Sequence, residues 1–293
     1  MHKAGFVNII GNPNVGKSTL MNALVGEKLS IITSKSQTTR HRIMGIFNGE
    51  DFQIVYSDTP GIVNPHYKLH ESMMNFVNSA LQDADLFLLV TEVGETLKSH
   101  ATLDKVINSN IPIILLINKI DISTQEKVKE KIDYWQKEIP RAIIIPTSAL
   151  EKFNLDRVFE TIIAQLPENP PYFPKDELTD KTMRFFVSEI IREKLLINYK
   201  KEIPYSCEVV VESYKEENNI DKIYTTIYVE RESQKAILIG HQGSMLKIVG
   251  SQARKDIEEF TQKKCFLEIR VKVLKDWRNN ENSLKRFGYK DKN

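Results

Sequence analysis

Only two cysteines, Cys207 and Cys265, occur in 293 residues. They lie far apart and in neither a redox nor a metal-ligand spacing, which excludes a disulfide framework and a cysteine-rich zinc site. A reducing cytoplasm is the expected compartment. No apolar run approaches the ~20 residues needed to cross a bilayer. The first strand pattern begins by Phe6, so no signal or transit peptide is expected. His66 and His70 stand four apart, but the pair lacks the intervening Glu of a zinc protease and a third ligand. An exposed helix face is the expectation for them.

Charge of neither sign dominates the whole, yet its distribution is uneven. Residues 1–180 carry 18 Lys+Arg against 22 Asp+Glu, a balance of −4; residues 181–293 carry 23 against 17, a balance of +6. The length suggests two domains, and a basic second half hints at a polyanionic partner for it.

The strongest local pattern is Gly11-Asn12-Pro13-Asn14-Val15-Gly16-Lys17-Ser18. An apolar strand candidate precedes it, and Thr19 to Val25 follows with apolar residues at helical spacing. Strand, Gly-x-x-x-x-Gly-Lys-Ser, helix is the context of a phosphate-binding loop. Its backbone N–H groups point at phosphate oxygens and the helix N-terminus adds partial positive charge. Lys17 is expected at the β- and γ-phosphates and Ser18 at Mg²⁺.

Ser30 to Arg42 is polar and contains Thr38-Thr39; such a segment keeps a Thr for Mg²⁺, and Thr39 is the preferred candidate. Ile43–Phe47 and Phe52–Tyr56 flank the turn signal Asn48-Gly49-Glu50-Asp51, predicting an antiparallel hairpin. The second strand runs into Asp58-Thr59-Pro60-Gly61. Asp58 is placed to hold Mg²⁺, and the Gly61 N–H to bond the γ-phosphate. Continuous apolar runs at Leu86–Val90 and Ile111–Ile117, with a shorter one at Ile143–Ile145, read as parallel strands covered on both faces. Helices are expected near 97–108, 124–138 and 154–165. The class is a doubly wound, mostly parallel α/β domain with ligand loops at strand ends.

Two later strand ends select the base. Asn118-Lys119-Ile120-Asp121 supplies a carboxylate whose two oxygens match guanine N1–H and N2–H₂. Asn118 can tie this loop to the phosphate loop, and the Lys119 stem can cover the base. At Ser148-Ala149-Leu150, the Ala149 N–H is expected at guanine O6. A lone Asn-Lys-x-Asp is common; following the other motifs in order, it points to GTP. At the place where Ras-like proteins carry a water-orienting Gln stands Ile62. Slow intrinsic hydrolysis is therefore expected. Asn14 is the candidate to hold a monovalent cation against the β–γ bridge, with shaping of the loop as its competing role.

Leu166 to Pro174 is Pro-rich and reads as a semi-rigid connector. The expected division is a nucleotide domain at 1–166, a linker at 167–179 and a second domain at 180–293. In the last, a helix with Phe185, Phe186, Ile190, Ile191, Leu195 and Leu196 is followed by strands near 207–211 and 223–229. Gly240-His241-Gln242-Gly243 then turns into a long helix to about Lys263, before a strand at 265–274. A Gly-x-x-Gly turn in a basic helix–strand–strand–helix–strand unit is the backbone clamp of a KH module. Lys247, Arg254 and Lys255 follow it. Trp277 and Tyr289 in the tail can simply pack.

Taken together, Gly11–Ser18, Gln37–His41, Asp58–Gly61, Asn118–Asp121, Ser148–Leu150 and Gly240–Gly243 resemble the Era family of bacterial GTPases. These belong to the TrmE-Era-like superfamily and carry a C-terminal type II KH domain of α+β class. The resemblance covers essentially the whole length, and a single phosphate loop excludes the relative with tandem G domains. The apolar Ile62 fits the family, and its potassium-stimulated relatives share the Asn at position 14. Leu246 departs conservatively from the commoner Ile. The resemblance implies a factor for 30S subunit maturation that grips the 3′ end of 16S rRNA when GTP-bound and releases it on hydrolysis. It implies catalytic roles for Lys17, Asn14, Thr39 and Gly61, and RNA contacts from Gly240, His241, Gln242, Gly243, Lys247 and Arg254. GTP or GDP, Mg²⁺ and potassium are the implied cofactors. A monomer is expected, in the cytoplasm and peripherally at the inner membrane face. From the residues alone, two other classes stay open: a signalling switch whose second domain binds a protein or acidic lipid, and a metabolic NTPase, which the guanine loop disfavours.

Overall fold

The computed structural model describes residues 2–97 and 100–290. The chain divides into two compact units. The first takes in the chain up to Ser30, then Thr39–Asn64 and Met73–Asp180; the second takes in Ile31–Thr38, Pro65–Ser72 and the chain from Lys181 on.

The first unit is built on six strands: β1 (Lys3–Ile10), β2 (Ile43–Asn48), β3 (Phe52–Asp58), β4 (Leu86–Glu92), β5 (Ile113–Asn118) and β6 (Ile143–Pro146). Their order is β2-β3-β1-β4-β5-β6, and only β2 runs antiparallel to its neighbour. The expected hairpin is therefore present, closed by the Gly49 N–H donating to the Phe52 carbonyl at 2.9 Å. Strand order reverses at β1, which pairs with β3 on one side and β4 on the other. Ligands of open α/β sheets bind outside the carboxyl ends of the strands at such a point. Every residue of β5 is buried, as a strand covered on both faces requires.

Helices α1 (Lys17–Val25), α2 (Lys68–Gln82), α3 (Ala101–Asn108), α4 (Gln125–Glu138) and α5 (Leu155–Gln165) separate the strands. Helix α3 starts four residues later than its expected start at 97. Residues 98 and 99 of that expectation lie outside the described residues. His66 and His70 do not share a helix face: His66 precedes α2 and is exposed, whereas His70 is buried and stacks on Tyr67 at 3.9 Å. The tyrosine ring supplies an apolar cover that spacing alone does not reveal.

The Pro-rich stretch is not a free-standing connector. The Ala4 N–H donates to the Pro167 carbonyl at 3.2 Å, and the Ile46 N–H to that of Leu178 at 2.8 Å. Gln53 accepts from the Tyr172 and Phe173 N–H groups, and the Tyr172 ring packs on Phe6 at 4.8 Å. Residues 167–180 thus follow the sheet of the first unit, whose outer strand β2 offers unpaired backbone groups.

The second unit contains α6 (Met183–Asn198), β7 (Glu208–Lys215), β8 (Asp221–Val229), α7 (Glu232–Ile239), α8 (Ser244–Thr261), β9 (Cys265–Val273) and α9 (Glu281–Arg286). The sheet order is β7-β8-β9, with β7 antiparallel and β9 parallel to β8. Strand β7 outlasts its expected end because a bulge between Val211 and Ser213 restores the pairing. Helix α7 is an addition to the expected order. Its start is capped by the Gln234 side chain, which accepts from the Glu230 and Arg231 N–H groups. One core joins Val187, Ile191 and Leu195 of α6 to Ile223 and Ile227 of β8 and to Val249, Ala253 and Ile257 of α8.

Candidate functional site

The loop between β1 and α1 carries the first group of residues. Gly16 has φ +99° and a Cβ there would strike the Asn118 side-chain amide, so only glycine fits. The Lys17 ammonium is buried and donates to the carbonyls of Gly11 at 3.1 Å and Asn12 at 2.8 Å. Burial pushes its pKa down to about 8 against the pull of the Asp58 and Glu95 carboxylates. Pro13 approaches Gly61 so closely that a Cβ on Gly61 would lie 2.8 Å from the Pro13 backbone. Thr59 turns its hydroxyl inward to the Ile9 carbonyl at 2.9 Å, and Pro60 follows it. Thr19 lies in the first turn of α1.

Ser18, Thr39 and Asp58 come together. Ser18 Oγ donates to Asp58 Oδ2 at 2.7 Å, and Thr39 Oγ1 lies 2.9 Å from Ser18 Oγ and 3.3 Å from Asp58 Oδ2. The Thr38 hydroxyl instead donates to the Lys35 carbonyl at 2.6 Å. Asp58 is fully buried, and its Oδ1 has no hydrogen-bond partner. Two hydroxyls and a carboxylate with an uncompensated oxygen form a hard, all-oxygen donor set suited to Mg²⁺.

The later strand ends close on the same loop. Asn118 donates from Nδ2 to the Val15 carbonyl at 2.8 Å and accepts at Oδ1 from the Ala149 N–H at 2.9 Å. The tie to the phosphate loop is as expected. The Ala149 N–H is not left for guanine O6 alone, because Asn118 already engages it. Lys119 donates to the Asn14 carbonyl at 2.6 Å and pairs with Glu92 at 2.7 Å. Asp121 is exposed in a short 3₁₀ turn, and Ser148 Oγ accepts from the Glu151 N–H at 3.1 Å. Asn14 is exposed with φ +66°, and Ile62 is buried in a hydrophobic cluster with Phe87 and Leu115.

Sequence reasoning missed Glu92 and Glu95. The Glu95 carboxylate accepts from Asn12 Nδ2 at 2.9 Å and from Thr91 Oγ1 at 3.0 Å. The available signal was their position at the carboxyl end of β4, beside the other strand-end motifs.

In the second unit, Gly240 and Gly243 adopt φ +70° and +78°, with Gln242 between them at +49°. His241 and Gln242 are exposed at the tip. The turn opens a groove of about 480 Å³ between α8 and β9, lined by Gly243, Leu246, Lys247, Gly250, Arg254 and Ile269 among others. Lys247 and Arg254, which follow the turn in sequence, both line this groove. Gly250 and the alternating Leu267 and Ile269 were missed, though period-2 spacing on β9 marks the latter pair. Trp277 and Tyr289 pack: Trp277 donates to the Ser206 carbonyl at 2.9 Å and Tyr289 to Glu208 at 2.8 Å.

Comparison with known proteins fits both sites. Residues 6–119 match a family described as 50S ribosome-binding GTPase, and residues 202–278 match the KH domain family. Across 293 residues the chain is 44% identical to the GTPase Era of Clostridium kluyveri, covering 99% of this chain and all of that one. The chain belongs to the Era family of GTPases. It is also 43% identical to the Era of Staphylococcus epidermidis, over 98% of this chain and 97% of the other. A crystal structure of Era with MgGDPNP and nucleotides 1506–1542 of 16S ribosomal RNA superposes with a TM-score of 0.93, at 38% identity and 99% coverage of each chain. A variant of Aquifex aeolicus Era bound to GDP·AlF4⁻ gives a TM-score of 0.91, at 39% identity, over 98% of this chain and 99% of that one. As an Era-family GTPase, the chain joins a G domain with a mostly parallel sheet to a KH domain.

Proposed function

We propose that this chain hydrolyses GTP with Mg²⁺, binds the 3′ end of 16S rRNA and acts as a GTP-switched assembly factor of the 30S subunit. The observation that carries this reading is the full-length similarity to an Era captured with both a GTP analogue and that RNA segment. The residues here support it. The loop at Gly11–Ser18 and Lys17 would receive the β- and γ-phosphates, and Asp121 the guanine edge. Ser18, Thr39 and Asp58 would hold the metal, which when bound neutralises phosphate charge. Lys17 and the Gly61 N–H would stabilise charge on the transferring phosphoryl group. Ile62 has no polar atom to orient a water, so slow intrinsic turnover follows. Asn14 would hold a potassium ion there, and turnover of Asn14→Ala should then lose its potassium dependence; an unchanged dependence refutes this role.

At the other site, the Gly240–Gly243 turn would let an RNA backbone approach closely while Lys247 and Arg254 neutralise its phosphates. We place the protein in the cytoplasm, with peripheral contact at the inner membrane face as the family resemblance implies. The test is titration of a short 16S 3′-end RNA with the full chain holding Mg·GDPNP or Mg·GDP. Binding should be tighter with the analogue, weaken with salt, and be lost in Gly243→Asp, where φ +78° disfavours any side chain and the new charge repels phosphate. No binding in either nucleotide state would favour a signalling switch with a protein partner instead.

A further inference from the structure

Helix α6 contains a guanidinium buried to 2% exposure, that of Arg192. Its Nε and Nη2 donate to the two oxygens of Glu189 at 2.7 and 2.5 Å. Its remaining donors turn to backbone: Nη1 to the Gln37 carbonyl at 3.3 Å, and Nη2 also to the Thr38 carbonyl. The same helix holds this segment at two further points. Lys35 donates to the Leu196 and Tyr199 carbonyls at the end of α6, and the Ile32 N–H donates to Glu193 at 3.4 Å. Residues 31–38 and α6 are accordingly parts of one compact unit.

The residue that follows, Thr39, belongs to the other unit and stands against Ser18 and Asp58. The Thr38 carbonyl lies in the same planar peptide group as the Thr39 nitrogen and Cα. Fixing that oxygen therefore fixes the plane from which the Thr39 side chain departs.

We propose that Arg192 is a positioning residue for Thr39: by bonding the Gln37 and Thr38 carbonyls, it makes the reach of Thr39 to the metal depend on the state of α6. This rests on the reading of Ser18, Thr39 and Asp58 as the Mg²⁺ site. Arginine suits the task because one planar fork addresses four acceptors at once. A lysine keeps the charge opposite Glu189 but cannot span both carbonyls.

The experiment compares Mg·GDPNP and Mg·GDP affinities of the full chain, with the magnesium half-saturation of each, for Arg192→Lys and Thr39→Ala. Thermal melting verifies folding. Arg192→Lys should lose about tenfold in analogue affinity and need more magnesium, while GDP affinity stays within about twofold, an effect in the range of ordinary coupling between sites. A role limited to holding the fold would lower both nucleotides together. Should Arg192→Lys fail to fold, the double variant Arg192→Met with Glu189→Met removes both charges and avoids a buried unpaired carboxylate; the same selective loss is expected of it. An unchanged analogue-to-GDP ratio in a folded variant, with Thr39→Ala shifting that ratio, overturns the role of Arg192. If Thr39→Ala leaves the ratio unchanged, the metal-site reading falls first and this inference with it.

Discussion

Asp58 and Asp221 are both buried aspartates, and their carboxyls are pushed in opposite directions. Burial raises that of Asp58, and the Lys17 ammonium with the Ser18 and Thr39 hydroxyls does not fully offset it. One of its oxygens lacks any partner. Asp221 is also penalised by burial, but Lys263 at 2.6 Å and the Tyr214 hydroxyl at 2.7 Å prevail and hold its carboxyl below the usual range. A carboxyl lowered in the folded state stabilises the fold above its unfolded pKa, and that contribution disappears as pH falls through the folded value. Asp221→Asn should therefore cost about 1–2 kcal/mol at neutral pH, and the deficit should shrink away as pH falls from neutral through the lowered folded-state range of this carboxyl. Denaturation of both proteins across that range checks it; an equal deficit at both ends refutes the ion pair's role. The direction of the Asp221 shift is not readable from its neighbours in sequence, since Lys263 is 42 residues away.

Helix α8 shows how one element can serve two demands. Gly250 sits in its middle, where glycine costs about 0.5–1 kcal/mol relative to alanine. A Cβ there would stand 3.6 Å from Ile269 Cδ1, an ordinary contact, so sterics within the fold do not require glycine. The residue lines the groove beside the Gly-x-x-Gly turn, and its missing side chain leaves the groove open. Gly250→Leu should keep the melting temperature at or above that of the parent. RNA affinity should fall about tenfold, roughly the worth of one stacked base. Melting followed by circular dichroism and oligonucleotide titration separate the two effects; full RNA affinity in the leucine variant would remove the groove from the binding site. The long helix was legible as the continuation of the Gly-x-x-Gly turn, whereas α7 was not. Eight residues, capped by the side chain of their own Gln234, carry too little periodicity to announce a helix.

At the scale of the whole molecule, a nucleotide-binding fold and an RNA-binding fold share one chain. If Mg·GDPNP tightens RNA binding by some factor, linkage requires RNA to tighten Mg·GDPNP binding by the same factor relative to Mg·GDP. Nucleotide titrations with and without saturating RNA measure this, and a gain in only one direction would show that the two binding events are not in equilibrium.

The amino-acid order by itself determined both folds and brought forward nearly every candidate ligand motif. Strand ends, glycines at tight turns and short polar signatures are local in sequence, because each is a single short stretch of backbone with its own conformational demand. Only the tertiary structure decided which threonine stands by Asp58, that Asn118 engages the Ala149 N–H, that the Pro-rich stretch borders a sheet, and that residues 31–38 fold with α6. Each of these joins residues more than ten positions apart, and Arg192 meets the Thr38 carbonyl across 154 residues. Such pairings depend on burial and the direction of single side chains, which no local pattern encodes.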